Sequence, residues 1–158
     1  KFEEEIIPIT VHDKRENTVI TTDEHVRRDT TLEKLAKLKP TFKADGRVTA
    51  GNASGMNDAS SGVLLMEEEL SKKLGLPILA RVVAVATTGV ACQRTLGIDE
   101  DKLNVNGGGI SLGHPVGATG SRLVVTLLYE LKRRGGKYGL ATLCAGGGMG
   151  TAVLIKMA

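Results

Sequence analysis

Aromatic side chains are scarce in this chain: two tyrosines, two phenylalanines and no tryptophan among 158 residues. A core must therefore be made of Val, Leu, Ile and Ala. Cysteine is nearly absent as well. Cys92 and Cys144 stand alone, with no C-x-x-C, which excludes a disulfide framework and suits a reducing compartment. An excess of one charge is also missing. The net charge is +3 with the signs interspersed, too little for a nucleic-acid footprint, though it would not repel a phosphate-bearing substrate. No apolar run reaches transmembrane length, and the first residues carry no signal-peptide pattern. The expectation is a soluble, cytoplasmic domain with a real core and with neither nucleic acid nor membrane as partner.

Glycine is what the chain has in excess. Its twenty glycines are about twice the usual share of roughly 7%. They are clustered, which argues for close backbone approaches and against disorder. The densest region is 104–150, NVNGGGISLGHPVGATGSRLVVTLLYELKRRGGKYGLATLCAGGGMG. Leu123, Val124, Leu127, Leu128 and Leu131 form one apolar stripe at helical period. Thr119 or Ser121 is available to cap its first turn, Lys132 to Arg134 suit the dipole of its last, and Gly135 supplies a left-handed stop. Leu140 to Cys144 then reads as a short buried strand, and Thr151 to Lys156 as another. A link as tight as Gly146–Gly150 suits a hairpin.

Earlier in the chain, Ile6–Val11 and Thr18–Thr22 read as an edge hairpin next to Pro8. Thr30-Thr31-Leu32-Glu33 is a capping-box signature for a short helix carrying Leu32, Leu35 and Leu38 and stopped by Pro40. The small residues of Val48–Gly55 let backbone lie close to something, either another strand or a ligand. Asn57 or Asp58 is placed to cap a helix reaching Met66. A charged helix with Glu68–Lys72 and Glu69–Lys73 pairs ends at Gly75. Ile78–Ala86 is the best strand, apolar enough to be covered on both faces. Ala91–Leu96 is a helix fragment without a cap. Helices alternating with apolar strands indicate an α/β class.

Two side chains stand where chemistry is expected. Cys144 ends a strand and is followed by Gly146-Gly147-Gly148, whose N–H groups are free of steric cover for an oxyanion. A strand-end cysteine by itself is more often a packing residue, and an ordinary thiol, with pKa of about 8.5, needs a partner to act as base or nucleophile. Cys92 has no such setting and is assigned to packing. His114, in Gly113-His114-Pro115 ahead of a helix, is placed to donate to a carbonyl oxygen or to activate a thiol. His12 and His25 lie in charged stretches and read as solvated. The histidines and cysteines lack metal-ligand spacing, so no zinc site is expected. Gly113–Gly120 is neither a Walker loop nor a dinucleotide fingerprint.

NASGMNDAS, NVNGGGISLGHPVGATGSR and TLCAGGGMGTA resemble the C-terminal half of the thiolases, in particular the biosynthetic acetyl-CoA acetyltransferases. The resemblance covers nearly the whole chain. It implies a thiolase-like fold whose C-terminal half is a mixed sheet covered by helices on both faces. Residues 1–54 would end the loop and CoA-binding region, and 55–158 would be the C-terminal domain. The activity implied is reversible Claisen condensation of two acetyl-CoA to acetoacetyl-CoA and CoA. Coenzyme A is then substrate and product, with no resident cofactor, and a homodimer or homotetramer is expected. Carried over by position, His114 activates the nucleophilic thiol and helps hold a thioester oxyanion. Cys144 is the acid/base for the second acetyl group, and the Gly146 N–H lines an oxyanion hole. Ser54, Ala50 and Phe42 resemble the wall of the pantetheine tunnel, and Arg27 the residue lying on the adenine.

The sequence departs from the family in two places. The N-terminal half with its acyl-carrying cysteine has no counterpart here. A few dozen residues, including an Asn-Glu-Ala-Phe motif, are missing between Val90 and Ala91. The chain alone is therefore expected to be inactive, and a non-catalytic CoA- or acyl-binding module, or an inactive remnant of the fold, is the alternative. Ketoacyl synthases share the fold but would use a different base.

Overall fold

A computed structural model describes residues 1–89, 96–146 and 149–158. The chain forms two compact units, Lys1–Ala59 with Asp99–Val116, and Ser60–Ile98 with Gly117–Ala158.

In the first unit, β1 (Ile9–His12) pairs antiparallel with β2 (Asn17–Ile20), Ile9 opposite Ile20 and His12 opposite Asn17. The expected hairpin is present, with Pro8 left outside the ladder, where its missing N–H costs nothing. Helix α1 (Leu32–Ala36) starts one residue later than the capping box suggested. Thr31 is the N-cap, and its hydroxyl accepts from the Lys34 N–H at 3.2 Å. The same hydroxyl hydrogen-bonds the Glu33 carboxylate and holds its pKa below the usual value. Gly51 explains the run of small residues before it. A Cβ there would stand 2.5 Å from Leu35 Cδ2 and 2.8 Å from Leu38 Cδ1, so at this position the backbone lies against leucines from α1 and its C-terminal end. One turn of helix, α3 (Gly109–Leu112), precedes His114.

In the second unit, α2 (Glu68–Leu74) ends on Gly75 at φ +67°. Of its expected ion pairs, Glu68–Lys72 forms, whereas Glu69 meets Lys72 in place of Lys73. Lys72 takes both Glu68 and Glu69 at 3.0 Å, and Glu68 is also gripped by Arg81, whose Nε and Nη2 donate at 2.8 and 2.6 Å. A guanidinium fork suits a carboxylate better than a second lysine does. Arg81 belongs to β3 (Ala80–Gly89), which pairs with β5 (Met149–Met157); β5 pairs in turn with β4 (Tyr138–Ala145). The hairpin of β4 and β5 forms as its glycine link indicated. The α/β class holds, with one difference: every described pairing is antiparallel, where a mixed sheet was expected.

Helix α4 (Thr119–Arg134) packs on β4 and β5. Gly139 is the closest point. A Cβ there would meet Leu127 Cδ1 at 2.7 Å and Leu131 Cδ1 at 2.8 Å. Leu131 and Ile155, opposite Gly139 in the register, are buried. Along β4, Gly139, Ala141 and Leu143 are half-buried, whereas Tyr138, Leu140, Thr142 and Cys144 are exposed. By strand alternation these four share the face turned away from α4. Val82 and Val83 of β3 are about half exposed, so the cover expected on both faces is incomplete at these two positions. The end of α4 follows its sequence signal. Gly135 adopts φ +63°, and the Gly136 N–H donates to the Leu131 carbonyl at 2.8 Å. The basic last turn does more than meet the dipole, because Arg133 and Arg134 both pair with the nearly buried Glu130.

Two expectations from the sequence fail here. Residues 57–66 form no helix, since the Asn57 carboxamide is engaged elsewhere and Ala59-Ser60-Ser61-Gly62 favours turns over helix. The N-cap of α4 is Ala118, without a side-chain cap. Ser121 instead donates to the Ala118 carbonyl at 3.0 Å and shares a short hydrogen bond with Ser61. The junction at 90–91, Cys92 and all of the Ala91–Leu96 fragment but its last residue lie outside the described residues.

Two outcomes are expected. Gly139→Val should cost about 1–3 kcal/mol by overpacking, whereas Gly120→Ala, where an added Cβ meets nothing, should gain about 0.4–1 kcal/mol. Equal effects in chemical denaturation would contradict the packing described. The Arg81 guanidinium, followed by Lys72, lowers the Glu68 pKa from 4.5 to about 2. A depressed carboxylate contributes stability that is full above its unfolded pKa and is lost as pH falls through the folded one. The link between α2 and β3 should thus weaken between pH 4.5 and about 2. NMR titration of the Glu68 carboxyl should show this midpoint, and Arg81→Gln should move it upward; an unmoved midpoint would refute the fork's role.

Candidate active site

His114 leaves α3 through Gly113, which sits at φ +88°. That left-handed backbone is strained for any residue with a Cβ, and space forbids one too. A Cβ at Gly113 would fall 2.3 Å from Asn57 Oδ1 and 2.5 Å from its Cγ. The carboxamide lies so close because it is bonded to the next residue along: Oδ1 accepts the His114 backbone N–H at 3.1 Å. Asn57 is itself half-buried beside Gly55, where a Cβ would meet Asn57 Oδ1 at 3.0 Å and His25 Cε1 at 2.5 Å. His25 is therefore half-buried against a glycine rather than fully solvated, whereas His12 is exposed, with Nδ1 2.8 Å from Asn17 Oδ1.

The loop before α3 is tied down by its own backbone. Gly107 at φ +85° and Asn104 at φ +50° turn the chain, and the Gly108 N–H donates to Ser111 Oγ at 3.3 Å. Two candidate residues lie beside Gly109, at distances where a Cβ would make ordinary contact. A Cβ there would lie 3.5 Å from Ser54 Cβ and 3.6 Å from His114 Cβ. Ser54 and His114 thus flank one glycine.

The other candidates toward CoA also lie in this unit. Arg27 is exposed and lines an open, polar concavity with Asp23, Arg28 and Asp29. Asp29 is held below the usual carboxylate range by its hydrogen bond and charge pairing with Lys34. Phe42 is 80% exposed, at the start of a turn closed by the Thr41 N–H on the Val48 carbonyl at 2.9 Å. Ala50 sits in a turn organised by Asn52, which accepts from the Thr49 N–H at 2.7 Å and donates to the Arg47 carbonyl at 2.9 Å.

Cys144 belongs to the second unit. It is a free, exposed thiol in β4, opposite the buried Gly150 of β5. Gly146 follows the strand with open space where a Cβ would stand; Gly147 and Gly148 lie outside the described residues. Among the described residues no group of His, Cys, Asp and Glu is arranged to hold a metal, and no helix is long and apolar enough to cross a membrane. Sequence reasoning missed Asn57 and Asn52. Each spends its carboxamide on backbone, Asn57 on a residue 57 positions away, and local pattern carries no signal for such a bond.

The thiolase C-terminal domain model matches residues 64–157, and the thiolase N-terminal domain model matches residues 1–69. An acetyl-CoA acetyltransferase of Syntrophomonas wolfei is 41% identical over 199 aligned positions, covering 99% of this chain and 50% of that protein. One from Pseudomonas aeruginosa is 43% identical, with 98% and 50% covered. Among solved structures, the acetyl-CoA acetyltransferase of Bacillus anthracis superposes with a TM-score of 0.90 at 41% identity, covering 99% of this chain and 50% of that one. Human mitochondrial 3-ketoacyl-CoA thiolase in complex with CoA gives a TM-score of 0.78 at 36% identity, with 94% and 48% covered. The chain spans about half the length of the curated relatives it matches. The glycine-framed histidine and cysteine, the fold and matches running nearly end to end lead to one conclusion: the chain belongs to the thiolase family.

Proposed function

We propose that this chain is the C-terminal part of an acetyl-CoA C-acetyltransferase, which condenses two acetyl-CoA reversibly to acetoacetyl-CoA and CoA. The observation that carries this reading is the 41% identity to an acetyl-CoA acetyltransferase across 99% of the chain. Residues 1–54 end the CoA-binding region and 55–158 form the C-terminal domain, with a segment lacking between 90 and 91. An alignment of 199 positions against a chain of 158 supports such a gap, because the relative then has positions without a counterpart here.

In this reading the N-terminal half supplies a cysteine that gives its proton to His114 and attacks the first acetyl-CoA; the departing CoA thiolate takes a proton from Cys144, which is left as a thiolate. Cys144 takes a proton from the methyl group of the second acetyl-CoA. The resulting carbanion attacks the acyl carbon, the acyl–enzyme bond breaks and acetoacetyl-CoA leaves. His114 Nε2–H and the Gly146 N–H would each donate to a thioester oxygen as negative charge develops on it. Arg27, Phe42, Ala50 and Ser54 hold the CoA body, and coenzyme A is substrate and product with no resident cofactor. The enzyme works in the cytoplasm as a homodimer or homotetramer.

Cys144→Ala should lower condensation by about 10²–10⁴-fold in a polypeptide that carries both halves, as loss of a positioned acid/base does. Unaltered acetoacetyl-CoA formation in that variant would sink the assignment. Calorimetry of the 158-residue chain with CoA should give a binding isotherm. Binding without turnover in any longer form would favour a CoA-binding module, and a cooperative melt without binding would leave only a structural remnant.

A further inference from the structure

We propose that Asn57 is a positioning residue for His114: its carboxamide, seated between two glycines, fixes the backbone that carries the imidazole. This rests on the reading of His114 as the activating imidazole, and adds a residue to which that reading gives no part.

Three observations in the first unit carry the inference. Asn57 Oδ1 accepts the His114 N–H at 3.1 Å, so the bond lands on the residue whose ring does the chemistry. Gly113, the neighbour of His114, is held at φ +88° with the carboxamide where its Cβ would be. On the other side Asn57 Oδ1 lies against Gly55, beside the His25 ring. The carboxamide thus fills the space that two missing Cβ atoms leave, and an acceptor seated there directs the N–H it receives. A displacement of about 1 Å at a reacting group can cost about 100-fold in rate, so a lock on the backbone of His114 is worth a dedicated side chain. Asn57 touches no reacting atom; it acts through His114.

The test compares Asn57→Ala, Asn57→Asp and His114→Asn in a polypeptide carrying both halves. Asn57→Ala should lower kcat by about 10–100-fold with KM within about twofold. Asn57→Asp keeps an acceptor oxygen and should recover most of the loss. Asn57→Ala added to His114→Asn should lower the rate no further, since the two act as one unit. An additive double variant, or a KM effect with kcat intact, would overturn the proposal. If His114→Asn leaves turnover intact, the reading of His114 itself fails; if it abolishes turnover while Asn57→Ala does nothing, only the positioning role fails. Should Asn57→Ala not fold, hydrogen exchange of the unsubstituted chain still decides. The His114 amide should be protected, and exchange at the rate of an open loop would refute the lock.

Discussion

The close seating of α4 on the β4–β5 hairpin is the constraint from which the second unit follows. It is possible because residue 139 has no side chain, and Leu127 and Leu131 occupy the space. With aromatics almost absent, the chain cannot bridge wide gaps between layers with large rings, so the layers themselves come closer. Glycine in a strand costs conformational entropy, and here the offset is the burial of Leu131 and Ile155 on either side of the contact. The strand held in this way carries Cys144 one residue before its end and leaves the thiol exposed.

The first unit uses the same economy for a different end. The glycines near His114 admit polar atoms: Gly113 and Gly55 take the Asn57 carboxamide, Gly107 the Ser111 hydroxyl. A loop built this way holds its shape through hydrogen bonds to backbone rather than through a packed core. Such a loop can carry a half-buried imidazole without surrounding it by bulk that a substrate would have to displace.

How much of this is legible in the sequence depends on how local each cause is. The stripe from Leu123 to Leu131, the stop at Gly135, the β4–β5 hairpin and α2 all follow from periodicity and caps within a few residues, and all form. Local reasoning fails wherever a side chain is committed to a distant partner. Asn57 has the sequence setting of a helix cap and instead serves His114; Ser121 has the same setting and meets Ser61. Strand Ile78–Ala86 is apolar enough to be covered, yet Val82 and Val83 remain about half exposed in this chain. Apolar pattern reports what a strand is suited to bury, not whether the covering element is at hand. As for the site, the pairing of Ser54 with His114 around Gly109 is not legible, since nothing in the local pattern of two residues so far apart along the chain fixes their distance.

The proposed chemistry has the Cys144 thiolate taking a proton from an acetyl thioester whose oxyanion His114 helps to stabilise. Proton abstraction of this kind can be followed without any carbon–carbon bond forming. Acetyl-CoA is incubated in D₂O with the longest form of the protein that contains these residues, and deuterium in the acetyl methyl group is read by NMR. The account predicts incorporation that is lost in both Cys144→Ser and His114→Ala. Incorporation that persists undiminished in either variant would contradict it.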